Sequence, residues 1–112
     1  MDIKSIIVNY VKNHPGTSFV ELENLLVEND FDFEGDRSIT DGEHKNLLIW
    51  NNWNDRAIQV ISELIANNEL TVKAADPLVY IIDGEQINLP IAKNVRHYKK
   101  PRWMPVVFNA PK

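Results

Sequence analysis

Five cations and a histidine crowd one short stretch near the end of this chain: Lys93, Arg96, His97, Lys99, Lys100 and Arg102. Tyr98 lies among them and Trp103 follows directly. Cations of this density neutralise phosphate, and interleaved flat rings stack on bases or take up cation–π contacts. The same mixture equally suits a cationic strap pinned to an acidic surface by two aromatic anchors. The charge balance sharpens both readings. All 16 acidic residues lie between Asp2 and Glu85 with six Lys/Arg among them, a net of −10, whereas Gln86 onward holds six Lys/Arg and no acid. A basic arm thus follows an acidic body, and the overall −4 hides the contrast.

Other candidate groups are thinner. Arg56 and Gln59 fall on the outward face of a helix expected over residues 54–68, and both are able to read base edges. Asp55 and Glu63 share that face and would repel phosphate. Lys73 is a further cation for phosphate contact, set against Asp76 and Asp83. In the acidic stretch, Asp30, Asp32, Glu34, Gly35, Asp36, Ser38 and Asp41 match EF-hand calcium-loop positions in part. However, its last position is Asp rather than Glu, and Arg37 stands where an apolar residue belongs. Phosphate loops, dinucleotide fingerprints and nucleophile elbows are absent, and His14, His44 and His97 lack metal-ligand spacing. Neither enzymatic activity nor a cofactor is expected.

These groups must be carried by a small number of elements. Ile3, Ile6, Ile7, Tyr10 and Val11 recur at helical spacing over residues 2–13, with Asp2 as cap. Ser18-Phe19-Val20-Glu21 reads as a capping box opening a second helix over 18–29. Residues 29–46 read as an acidic loop, with Phe31 and Phe33 tucking its start onto the core. Leu47–Trp50 reads as a short strand. Asn54 caps the helix at 54–68, and Trp53 and Ile58 have the spacing of a hydrophobic staple. Leu70–Ala74 and Leu78–Ile82, around Ala75-Asp76-Pro77, read as a β-hairpin. Trp50 and Trp53 are expected in the core, with the role of Trp103 open. Four prolines after residue 86 exclude a long helix there, so an extended segment strapped across the body is expected, with Val106-Val107-Phe108 as an edge strand.

A chain of 112 residues with 44% apolar content has room for one core. Cysteine is absent, which fits a reducing compartment. Neither a membrane span nor a secretory leader is read from the sequence, so a cytoplasmic setting without membrane contact is expected.

The helices at 2–13, 18–29 and 54–68 and the hairpin at 70–83 resemble a winged helix-turn-helix domain. The run Trp53-Asn54, through Pro77-Leu78-Val79-Tyr80, Asp83-Gly84, Leu89-Pro90-Ile91-Ala92-Lys93 and Tyr98-Lys99-Lys100-Pro101, to Trp103-Met104-Pro105-Val106-Val107-Phe108-Asn109, is similar to small uncharacterised proteins of Gram-positive phages and prophages. The resemblance implies an α+β winged helix, with three helices and a β-hairpin wing over 1–85 and an extended strap over 86–112. It also implies a DNA-binding regulatory or accessory role. Arg56 and Gln59 would then face bases, and Lys73, Lys93, Arg96, Lys99, Lys100 and Arg102 would contact phosphate. The alternative is a protein–protein interaction module, with another protein or as a homodimer, using the hairpin edge or the Trp103 region.

Overall fold

The computed structural model describes residues 2–111 and has an α+β architecture with four helices and two small sheets. Helix α1 (Ile3–Asn13) starts at Asp2, whose carboxylate accepts from the Ser5 amide at 2.9 Å. Helix α2 (Phe19–Glu28) starts at Ser18, whose Oγ accepts from the Glu21 amide at 3.2 Å. Only that half of the expected capping box forms: the Glu21 carboxylate accepts from the Tyr10 hydroxyl at 3.2 Å. Helix α3 (Asp55–Ala66) is capped by Asn54, which accepts from the Ala57 amide at 2.9 Å.

Two expectations are overturned between and after these helices. The stretch read as an acidic loop is largely strand: β1 (Glu34–Asp41) and β2 (His44–Trp53) form an antiparallel hairpin with irregular register. Leu47–Trp50 is a strand, as expected, but forms the middle of the longer β2. The hairpin read over residues 70–83 does not exist. Its first half is strand β3 (Thr71–Ala74), but its second half is helix α4 (Leu78–Asp83). Local signals outweigh the β-branched content there. Asp76 Oδ1 accepts from the Leu78 amide at 2.9 Å, and Pro77 already has helical φ and ψ of −54° and −25°. Gly84, with φ +94°, closes the helix: its amide donates to Ile81 O at 3.2 Å and the Glu85 amide donates to Tyr80 O at 3.1 Å, the Schellman arrangement.

The partner of β3 comes from the end of the chain. Strand β5 (Val106–Asn109) pairs antiparallel with it, Lys73 opposite Val107. Thr17, between α1 and α2, flanks β5 on its other side: Thr17 N donates to Phe108 O at 3.0 Å and Phe108 N donates to Thr17 O at 2.8 Å. Val106–Phe108 is therefore a strand, as expected, at the edge of a two-stranded sheet, with a single bridge to Thr17 on its outer side. Strand β4 (Arg102–Trp103) runs parallel to β2 and completes the order β1-β2-β4.

The last quarter of the chain shares the core of the rest. Trp103, Val106 and Phe108 are buried beside Phe19, Trp50, Trp53 and Tyr80. Phe19 sits edge-on to Phe108 at 5.0 Å and to Trp53 at 5.3 Å, and stacks with Trp50 at 5.7 Å. The Tyr80 hydroxyl donates to Val106 O at 2.6 Å and accepts from the Phe19 amide at 3.1 Å. Trp50 and Trp53 are core residues as expected; Phe31 is buried and Phe33 half-buried. Among the described residues, no helix is long and apolar enough to cross a membrane.

Gly35 marks the tightest backbone approach. A Cβ there would meet Asn54 Cα, Asn54 N and Trp53 O, each at 2.7 Å, where the hairpin meets the start of α3. Gly35→Ala is expected to destabilise by about 1–3 kcal/mol in denaturant titrations, since backbone must move. Gly42→Ala, at the hairpin turn with open space around it, is expected to stay within about 0.5 kcal/mol.

Candidate nucleic-acid interface

Lys93, Arg96, Lys99, Lys100 and Arg102 belong to a loop that leaves the body at Ala92 and returns at β4. Backbone bonds tie its base: Trp103 N donates to Pro90 O at 2.9 Å and Ala92 N to Trp103 O at 2.8 Å. Arg102 Nη1 adds a bond to Ile91 O at 3.3 Å. Inside the loop, the Tyr98 hydroxyl donates to Asn94 O at 3.0 Å and accepts from Asn94 N at 3.3 Å. From the body, Asn46 Nδ2 of β2 donates to Tyr98 O at 2.7 Å. The loop therefore holds a shape of its own and is held to the turn end of the hairpin.

The guanidiniums of Arg96 and Arg102 each lie over the Tyr98 ring, 4.7 Å from its centroid. Desolvation works against ionisation of this phenol. The Asn94 backbone contact and the two guanidiniums outweigh it and hold Tyr98 below its ordinary range. Arg96, His97, Tyr98, Lys99, Lys100 and Arg102 line one open concavity of about 410 Å³. Among the described residues, none of the five loop cations makes a salt bridge. The ion pairs there are Lys4–Glu63 and Arg37–Asp55, each at 3.1 Å, and His44 Nδ1 contacts Asp41 Oδ2 at 2.5 Å. The loop is held by hydrogen bonds and ring packing, with Trp103, one of the two expected aromatic anchors, buried in the core. Lys93, Lys99 and Lys100 are exposed, while the guanidiniums of Arg96 and Arg102 lie over Tyr98.

The remaining sequence-derived candidates lie elsewhere. Arg56 is exposed on the first turn of α3 with its guanidinium 4.5 Å over the Phe31 ring, and Gln59 is exposed about one turn on. β2, of 10 residues, separates the start of α3 from the end that meets the loop, a distance of roughly 30 Å at about 3.3 Å per residue. Lys73 is exposed on β3. The ring contribution also changes. Trp103 is 1% exposed, so it offers no stacking surface and no contact for a partner, and the Tyr98 face is already engaged by arginine. The partial calcium motif falls mostly in β1, whose alternating side chains diverge to two faces. Among the described residues, no cluster of three or more His, Asp or Glu is placed to hold a metal ion.

Two groupings escaped the sequence reading. His97 meets His44 with ring centroids 4.4 Å apart, and His44 Nδ1 contacts Asp41 Oδ2. The two histidines are far apart in the chain and no spacing rule joins them. The second is a pocket lined by Glu23, Glu34, Glu85, Phe33 and Trp50, among others. There Glu23 Oε2 accepts from Trp53 Nε1 at 2.8 Å and Trp50 Nε1 at 2.9 Å. Burial, then the neighbouring Glu23 charge, pushes the Glu85 carboxyl up; burial likewise raises Glu21.

No protein-family model, curated protein or solved structure matches this chain.

The Glu85 carboxyl binds its proton more tightly in the folded chain than in the unfolded one. Its ionised form therefore opposes folding at neutral pH, and that opposition fades as pH falls through the raised pKa towards the ordinary 4.5. Glu85→Gln is expected to raise the denaturation midpoint at about pH 7 and to shrink the gain seen between about pH 7 and pH 5. A lower midpoint at neutral pH would contradict this account.

Proposed function

We propose that this protein binds duplex DNA through the phosphate backbone, using the loop of residues 93–102, and acts as a regulatory or accessory factor of the phage type. The observation that carries the reading is the loop itself: five cations, free of ion pairs among the described residues, on a segment fixed at both ends. Fixed cations lose little freedom on meeting a phosphate row, and each counterion they displace adds affinity at low salt.

The same proposal includes a winged-helix arrangement of the helices and the β3–β5 pair. α1, α2 and α3 would be its three helices, and β3 and β5 its wing strands, with Thr17 making a single bridge to β5. Residues 75–105, holding α4 and the basic loop, would then be an enlarged wing. The β1–β2 hairpin would be an insertion ahead of the helix that enters the groove in such domains. On α3, Asp55 and Glu63 occupy the same helix as Arg56 and Gln59, so base reading there would be secondary to phosphate contact through the loop, with Lys73 adding one further cation.

The test is anisotropy with a labelled duplex of about 20 base pairs over a salt series. Log affinity should fall with log salt at a slope of about −4 to −5, as expected for five phosphate contacts. The double change Lys99→Ala and Lys100→Ala should weaken binding and flatten the slope by about 2. Arg56→Ala with Gln59→Ala should leave sequence-independent affinity within about twofold. Binding indifferent to salt and to the lysine changes would refute the proposal.

A second reading, a homodimeric interaction module, is favoured by one feature. Leu78, Ile81 and Ile82 of α4 are 54%, 53% and 75% exposed, an unusual run of large apolar side chains on one short helix. If this face joins two copies, Ile81→Glu with Ile82→Glu should convert a dimer into a monomer by light scattering without lowering the unfolding midpoint. A wild-type monomer at high concentration removes that reading.

A further inference from the structure

The contact between the loop and the hairpin tip adds a titratable group to the cationic concavity. His97 lines it together with Arg96, Lys99, Lys100 and Arg102. Its ring packs at 4.4 Å and 39° against His44, at the start of β2. Behind His44 stands Asp41, the last residue of β1, with its carboxylate 2.5 Å from Nδ1. Glu43 and Lys45 flank His44 on the hairpin and are exposed; Tyr98 flanks His97 on the loop, with its ring engaged by two guanidiniums.

We propose that His97, backed by His44 and Asp41, is a further phosphate-binding residue of this loop, so that DNA binding takes up a proton. The inference rests on the reading of the loop as a phosphate-binding surface. The physical case is one of local charge. His97 lines the concavity beside four cations, and its ring packs against a second imidazole. A phosphate seated in the concavity reverses the sign of the local field, and the charged imidazole then becomes the better partner. Asp41 assists from the far side: its carboxylate contacts His44 Nδ1, fixes that ring and places a negative charge behind it. Histidine is the side chain suited to this role, because imidazole gains its charge close to neutral pH. The lysines and arginines supply binding at every pH, and the histidine pair adds to it as pH falls.

The loop is tied by Asn46, by its base and by Tyr98. The ring contact joins a largely covered side chain, His44 at 15% exposed, to an exposed one, His97. It brings a proton-binding pair to the rim of the one concavity in which the loop cations gather.

Affinity for a labelled duplex of about 20 base pairs, at constant ionic strength from about pH 8 to pH 6, tests the proposal. The unaltered protein should bind about three- to tenfold more tightly at the lower pH, within the roughly hundredfold ceiling that uptake of one proton sets over two pH units. His97→Gln should match it at about pH 8 and lose most of the tightening. His44→Gln should lose part of it. Lys99→Ala should bind more weakly throughout and keep the tightening, which separates general cationic attraction from the histidine contribution. Salt-dependent binding at about pH 8 with no tightening, or with tightening that survives in His97→Gln, overturns the histidine role and leaves the loop reading intact. Absence of salt-dependent binding at either pH overturns both.

Discussion

One buried hydroxyl joins the parts of this molecule that are furthest apart in the chain. Tyr80 Oη accepts from the first amide of α2 and donates to the carbonyl that opens β5. Burial pushes the phenol above its ordinary range, so it stays a donor. Its ring packs between Trp50 at 5.0 Å and Trp103 at 5.3 Å. A hydroxyl so placed satisfies two backbone groups that would otherwise be buried without partners, each omission costing about 1–3 kcal/mol. Helix α4 is too short to hold itself together. It persists because its ends are closed by Asp76-Pro77 and Gly84 and because Tyr80 anchors it between α2 and the last strand.

That anchor has consequences for the basic loop. With β5 paired to β3 and to Thr17, and β4 paired to β2, the chain between α4 and β4 has both ends fixed in the core. The loop cations repel one another, and among the described residues no body carboxylate forms a salt bridge with them; Asp55 pairs with Arg37 and Glu63 with Lys4. Ring contacts with Tyr98 and the Asn46 bond offset the repulsion without neutralising any charge. A surface that keeps its cations in place is the physical basis of the proposed affinity for phosphate.

Much of the architecture was legible along the chain. Asp2, Ser18 and Asn54 each start a helix, because a side-chain oxygen three residues ahead of a free amide is a local device. The strand at Val106–Phe108 and the burial of Trp50 and Trp53 were also readable. The segment at 78–83 reads as strand because Val79, Ile81 and Ile82 carry a β-like composition, while the capping contacts that make it helical depend on Asp76, Pro77 and Gly84 acting together. The acidic hairpin was missed because β1 is exposed and polar along most of its length. Its pairing is specified by β2 rather than by its own pattern.

For the candidate site, the sequence by itself determined the inventory: a basic stretch with embedded rings, following an acidic body. Charge is a property of residue type and is fixed before folding. Only the tertiary structure decided which of those cations are free, that Trp103 is core rather than contact surface, and that His97 meets His44 and Asp41. Those outcomes depend on strand pairings between residues about fifty positions apart, such as Leu48 with Trp103. Such pairings are set by how the whole core closes, and no local pattern encodes them.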